Sequence, residues 1–140
     1  MASSPLSIRF DDVLLERVRR RAAQRGATPS GLVQRLVDEA LRVQEHPGIL
    51  FRDGASGRRA GLIAGPDVWE VIAALRASEL PGDDALVAAA EEFDLPLARV
   101  RAALAYYGAY PDEINAEIDD NERAADEAHR SWLAQQQLLA

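Results

Sequence analysis

"LSIRF", Leu6 to Phe10, alternates apolar and polar side chains over five residues. That is the period of a β-strand, with Leu6, Ile8 and Phe10 on one face and Ser7 and Arg9 on the other. Two helical patterns follow, and no second strand pattern comes near. A lone strand leaves a row of unpaired backbone groups and cannot bury its apolar face by itself. The question of what it pairs with carries most of the functional reading.

The flanking segments supply the setting. Asp11 or Asp12 can cap a helix that runs to about Arg25, with Leu14, Leu15, Val18 and Ala22 on one side. Gly26 ends it. In "ATPSG" (27–31), Thr28 suits the N-cap of a second helix. Pro29 suits its first position, where a missing N–H costs nothing. Leu32, Val33, Leu36, Val37, Ala40 and Leu41 form the apolar face, and the pattern fades near Val43.

Strand, helix and helix within some forty residues are too few to enclose a core alone. The economical solution is a homodimer. Two copies of 6–10 pair antiparallel, Leu6, Ile8 and Phe10 become the dimer core, and four helices close over them. Residues 5–42 thereby resemble the ribbon-helix-helix fold of the Arc and MetJ repressor type. The resemblance rests on the alternation, the Gly26 break and the Thr28-Pro29-Ser30 helix start.

That resemblance implies DNA binding. A two-stranded ribbon fits the major groove, and Ser7 and Arg9 take the base-reading positions. Arg9 can donate two hydrogen bonds to a guanine edge, worth about 1–3 kcal/mol of discrimination. Pro5 lies on the same face and offers only apolar contact. Two polar readers per strand, where the family usually has about three, imply modest specificity per dimer or adjacent dimers acting together. The helix start at Thr28, Ser30 and Gly31 is expected to hold a phosphate through free N–H groups, which sets register without reading sequence. The alternative is a dimerisation module that never meets DNA, with Ser7 and Arg9 merely solvated. Arg17, Arg19, Arg20, Arg21 and Arg25 read as a solvated face first and as long-range attraction to DNA second.

"QEHPG" (44–48) breaks the pattern. Two short apolar runs then flank a Gly-rich centre in "ILFRDGASGRRAGLIAG" (49–65), which reads as a hairpin or wing. Three short helices are expected after it. One starts after Gly65-Pro66 and carries Trp69, one is capped by Asp83 or Asp84, and one restarts at Leu95-Pro96. Trp69, Tyr106, Tyr107 and Tyr110 read as core or interface rather than as a stacking platform. "AYPDEI" (109–114) breaks the third helix, and a thinly apolar helical stretch follows.

Several blocks resemble the family catalogued as domain of unknown function 433: "HPGI" at 46–49, "DGASGRRAGL" at 53–62, "VWEVI" at 68–72 and "LARVRAALAYYGAYPDEINAEI" at 97–118. The hairpin departs from the usual pattern. The resemblance implies a small helix-turn-helix-like module of the kind found in bacterial and archaeal antitoxins, often encoded beside PIN-like toxins. Arg99 and Arg101 could touch a second DNA segment, but a strongly acidic module repels phosphate. A folded spacer or protein contact is the preferred reading.

Charge separates the parts. Residues 1–42 hold eight Arg against five acids, and residues 43–140 hold eight Arg against eighteen acids, which together give the formal −7. All sixteen basic residues are Arg. A basic head on an acidic body suggests two modules with different partners. Residues 111–127 alone carry eight acids and one Arg. The bland reading is a solvated helix. The functional one is an arm that orders against a partner, with Ile114, Ile118, Arg123, Arg130 and Trp132 as toxin-binding candidates. A third possibility is that the arm lies against the basic head and competes with DNA.

Composition limits the chemistry. There is no cysteine, which excludes disulfides, thiolate chemistry and Cys-ligated zinc. His46 and His129 are the only histidines, so a metal site or a triad is poorly supplied. No nucleophile–base set, phosphate loop or ligand cluster is visible. The expectations are therefore no catalytic residues, no metal, no cofactor and no small-molecule substrate. No signal-peptide pattern opens the chain, and no apolar run approaches the roughly 20 residues of a membrane span. A cytoplasmic protein without membrane contact is expected.

The sequence as a whole reads as mainly α. A dimeric ribbon-helix-helix (1–43) is followed by a helix-turn-helix-like module with a β-hairpin (46–115) and an acidic helical C-terminal arm (116–140). Its function reads as the antitoxin of a type II toxin–antitoxin system: a homodimer that represses its own operon at operator DNA and neutralises a cognate, PIN-like ribonuclease toxin. The alternative is a stand-alone dimeric transcriptional regulator with no toxin.

Overall fold

In a computed structural model, residues 2–140 are described. The chain is mainly helical with one two-stranded antiparallel hairpin. It divides into two compact units, one up to Leu41 and one from Arg42 to Ala140.

The N-terminal unit contains α1 (Asp12–Gln24) and most of α2 (Pro29–Glu45). Asp11 caps α1, its carboxylate accepting from the Leu14 N–H at 2.8 Å. The helix ends where Gly26 takes φ +62°, the left-handed conformation that glycine adopts without strain. Thr28 caps α2 through its hydroxyl, which accepts from the Gly31 N–H at 3.0 Å. Both caps fall where the sequence places them.

Residues 6–10 form no strand within this single chain. The cause is that a strand exists through its ladder. Among the described residues, no segment pairs with 2–10 as a strand.

The C-terminal unit opens with β1 (Ile49–Gly54) and β2 (Gly57–Leu62), in register from Ile49 opposite Leu62 to Gly54 opposite Gly57. Ala55-Ser56 is the two-residue loop, and Gly57 at φ +115° completes the turn. The hairpin buries Ile49, Ala60 and Leu62. Four helices follow: α3 (Val68–Ala77), α4 (Gly82–Glu92), α5 (Leu97–Ala109) and α6 (Pro111–Leu139). At the start of α3 the Glu70 carboxylate accepts from the Asp67 N–H at 2.8 Å. Arg52 of β1 ties down the same turn, donating to Asp67 at 2.9 Å and to the Gly65 carbonyl at 2.8 Å.

The core of this unit runs from the hairpin through Val68, Val71, Ile72, Leu86, Val100 and Tyr106 to Ile114 and Ile118. Ala89, Ala90 and Ala103 bring α3, α4 and α5 close together, because small side chains shorten the distance between helix axes. Trp69, Tyr107 and Tyr110 pack against this core. Among the described residues, no helix is long and apolar enough to cross a membrane.

α2 continues to Glu45, and Arg42 in its last turn already bonds within the C-terminal unit. The expected start of a separate arm at 116 falls inside α6, a continuous 29-residue helix. Its first turns are core and the rest is exposed.

Candidate functional site

The N-terminal unit shows an unfinished surface. Leu6 is 81% exposed and Ile8 58% exposed, while Phe10 is half-buried. These three line a groove of about 710 Å³ together with Leu15 and Val18 of α1 and Val33, Val37 and Leu41 of α2. The unit fully buries few side chains of its own, Ala22 and Leu32 among them. Apolar residues thus converge from three segments on a space that none of the described residues fills.

The expected base readers, Ser7 and Arg9, are exposed. The phosphate site at the start of α2 is narrower than expected. The Gly31 N–H is not free, since it donates to the Thr28 hydroxyl, and the Leu32 N–H donates to the Thr28 carbonyl at 3.0 Å. Pro29 has no N–H at all. That leaves the N–H and hydroxyl of exposed Ser30 as the donors there. The physical reason is competition: a side-chain cap uses the same amide that an incoming phosphate would use.

A second groove, of about 430 Å³, lies on α1 and α2 between Leu14, Leu32 and Leu36, with Arg17, Arg20 and Arg21 along it. Arg17, Arg19, Arg20 and Arg21 are exposed, as a solvated basic face requires.

In the C-terminal unit the toxin-binding candidates separate. Ile114 is 0% and Ile118 4% exposed, so both belong to the core and cannot contact a partner. This corrects their assignment: the apolar stripe of α6 begins by packing against its own unit. Arg123 is exposed and pairs with Asp120 one turn earlier. Arg130 is exposed, and Trp132 is 52% exposed with its ring stacked on His129 at 6.0 Å. Every residue from Asp119 to Ala140 is exposed.

The structure also assembles a polar cluster that sequence spacing hides. Arg42 donates to the Tyr106 hydroxyl at 2.8 Å and to Glu113 at 2.9 Å, and Tyr106 donates to Glu113 at 2.7 Å. The Arg42 guanidinium lies 3.9 Å from the Tyr110 ring centre, and His46 meets Tyr106 edge-on at 5.3 Å. Burial pulls the Arg42 pKa down, but the bonds to Glu113 and Tyr106 outweigh it and raise it, so the cation is secure. Burial, then the bond to Glu113, raises the Tyr106 pKa. A phenol that stays protonated beside a permanently charged arginine is a structural clasp with no acid–base role near neutral pH. Nothing in the sequence links positions 42, 106 and 113; the one available hint is an Arg in the last turn of α2.

Glu117, on the same helix face, is different. Burial pushes its pKa up to about 7; Arg59 opposes this, and Glu113, Asp67 and Asp120 add to it. One carboxylate oxygen is buried without a hydrogen-bond partner. It is a carboxyl group that titrates near neutrality.

No known family model matches the chain, and no curated protein or solved structure matches it.

Proposed function

We propose that this chain is the antitoxin of a bacterial type II toxin–antitoxin pair, acting as a homodimer that binds its own operator through a ribbon of two N-terminal segments. The observation that carries the reading is the groove of Leu6, Ile8, Phe10, Leu15, Val18, Val33, Val37 and Leu41 with no occupant in the protomer. Apolar residues spaced two apart on a segment with unpaired backbone groups ask for two things at once: a strand to pair with and a surface to cover them. A second copy supplies both, since each segment is the other's ladder and each groove takes the other's Leu6, Ile8 and Phe10. Each of these side chains contributes about 1.5–3 kcal/mol when fully covered.

Pairing in that register turns Ser7 and Arg9 of both copies outward on one two-stranded ribbon, the shape that a major groove admits. Ser30 of each copy then serves as a flanking phosphate contact. The basic balance of this unit favours approach to DNA. The toxin half of the proposal rests on the resemblance of residues 46–118 to antitoxin-associated modules. It rests also on the exposed end of α6, where Arg123, Arg130 and Trp132 remain as contacts.

The stand-alone regulator gains no specific support. The groove between α3 and α4, lined by Ala74, Ala77, Ser78, Ala85, Ala88, Ala89 and Glu92, measures about 240 Å³. That is below the roughly 300 Å³ at which small-molecule sites begin, and it lacks converging polar groups.

Two measurements on the full chain test the proposal. Mass in solution, with binding to the DNA upstream of its own gene, tests the head. Co-expression with the neighbouring gene tests the partner. A dimer that binds its promoter and retains a toxic partner is the expected result. A monomer at micromolar concentration sinks the ribbon, and a promoter-binding dimer with no retained partner leaves the regulator reading in place of the antitoxin one.

A further inference from the structure

The two faces of the hairpin are used differently. Ile49, Phe51, Ala60 and Leu62 face the core, so Arg52 and Arg59, directly opposite each other in the register, share the other face. Like charges opposed across a ladder are destabilising unless each has its own counter-charge. Arg52 has one, since it donates to Asp67 and to the Gly65 carbonyl. Arg59 does not. It is 8% exposed and makes no side-chain hydrogen bond or ion pair with any described residue. Its guanidinium rests 5.7 Å from the centre of the Trp69 ring.

Two more polar groups near it are unsatisfied. The Trp69 indole N–H is buried without an acceptor, and one Glu117 carboxylate oxygen is buried without a donor. A folded chain leaves few such groups, and several in one place ask for an explanation. The charged groups facing Glu117 are Arg59 of β2, Asp67 before α3, and Glu113 and Asp120 of α6. The three acids already have cations: Arg52 holds Asp67, Arg42 holds Glu113 and Arg123 holds Asp120. Arg59 is the cation in this group without a carboxylate. Protonated, Glu117 needs none. Ionised, it is a half-buried anion among acids, and a charge taken out of water has to be paired.

We propose that Glu117 and Arg59 form a proton-operated latch between the hairpin and the base of α6: while Glu117 is protonated Arg59 rests on Trp69, and when Glu117 ionises Arg59 turns to pair with it and leaves the indole. The proton goes to water, Arg59 stays charged throughout, and the backbone of β2 stays in its ladder. Burial already pushes the Glu117 pKa up to about 7 against the opposition of Arg59, so the exchange falls near neutrality. Glu117 directly precedes Ile118, the last buried residue of α6. The closed pair therefore ties the root of the exposed helix to the hairpin. The latch is independent of the antitoxin reading.

The chain has two tryptophans, and Trp132 is 52% exposed, so Trp132→Phe in the full chain leaves Trp69 as the single reporter without touching the core. Its emission is expected to change in one step between about pH 5 and about pH 9, as the indole loses its stacked cation. Adding Glu117→Gln, an uncharged isostere of the protonated acid, is expected to abolish the step. Adding Arg59→Met is expected to abolish it too, while the Glu117 carboxyl, followed by carbon NMR, still titrates with a higher midpoint because its cation is gone. That combination separates movement of Arg59 from a direct effect of the carboxylate charge on the indole. Glu117→Gln adds neither charge nor volume, so its result decides even where Arg59→Met does not fold. No step in Trp132→Phe overturns the latch. A step that survives Glu117→Gln also overturns it, since another group such as His46 is then titrating, and so does a step that survives Arg59→Met.

Discussion

Up to Leu41, the chain has two well-capped helices and an apolar segment, yet Leu6, Ile8, Leu36, Val37 and Leu41 remain exposed. From Arg42 onward, a hairpin and the helices around it enclose a continuous core from Ile49 to Ile118. The difference is in the number of layers. The C-terminal unit packs its helices over the hairpin and over one another, whereas the N-terminal unit has two helices and nothing to close them. A region that is locally complete and globally open is what a shared core looks like when one half is viewed alone.

The sharpest way to break this comparison is Ile8→Asp. It places an unpaired charge in the proposed dimer core, at a cost of about 3–5 kcal/mol. Mass in solution is expected to fall to that of one chain, while the C-terminal unit keeps its helical circular dichroism. If the dimer persists, the two regions do not differ in the way proposed. Tyr106→Ala strikes the other side. It empties a fully buried site and is expected to lower the stability of the C-terminal unit by about 3–5 kcal/mol in urea unfolding. Tyr106→Phe loses only the hydroxyl between Arg42 and Glu113, for about 0.5–1.5 kcal/mol, because those two still hold each other. Neither change is expected to alter the head's mass in solution.

Arg9→Ala is expected to leave the dimer intact and to cost roughly tenfold to a hundredfold in preference for operator over unrelated DNA. A titration at two salt concentrations separates this from loss of charge, which weakens binding to both DNAs alike. Unchanged preference would remove Arg9 from base reading.

A pH-dependent effect is expected at Glu117. Its folded pKa of about 7 lies above the ordinary 4.5. The folded unit therefore holds a proton that the unfolded chain releases. The stabilisation is fully present below about pH 4.5 and is lost as pH rises through about 7. Glu117→Gln cannot ionise, so it is expected to match the wild type at low pH and to exceed it at pH 8 in urea midpoint. Parallel profiles for the two proteins would show that the buried oxygen is solvated.

Much of the fold is legible in local chemistry. Gly26, Thr28 and the Tyr110-Pro111 break all act within a few residues of themselves and are readable by spacing, as are a cap at Asp11 or Asp12 and a hairpin with a Gly-rich centre. The candidate site is only half legible. Ser7 and Arg9 follow from alternation. The Arg42–Tyr106–Glu113 clasp does not, because its members are brought together by helices packing, not by period. Ile114 and Ile118 show the same limit from the other side: a stripe is visible in sequence, but which part of it is already covered is not.

The sequence by itself determined that helices occupy most of the chain, that residues 6–10 alternate, and that acid and base are segregated. Those properties come from short-range sterics, hydrogen bonding and composition. Only the tertiary structure decided which apolar residues are used up and which stay open. Burial is a property of neighbours distant in the chain, and the groove at Leu6 and the bare helix beyond Ile118 exist because no such neighbour reaches them.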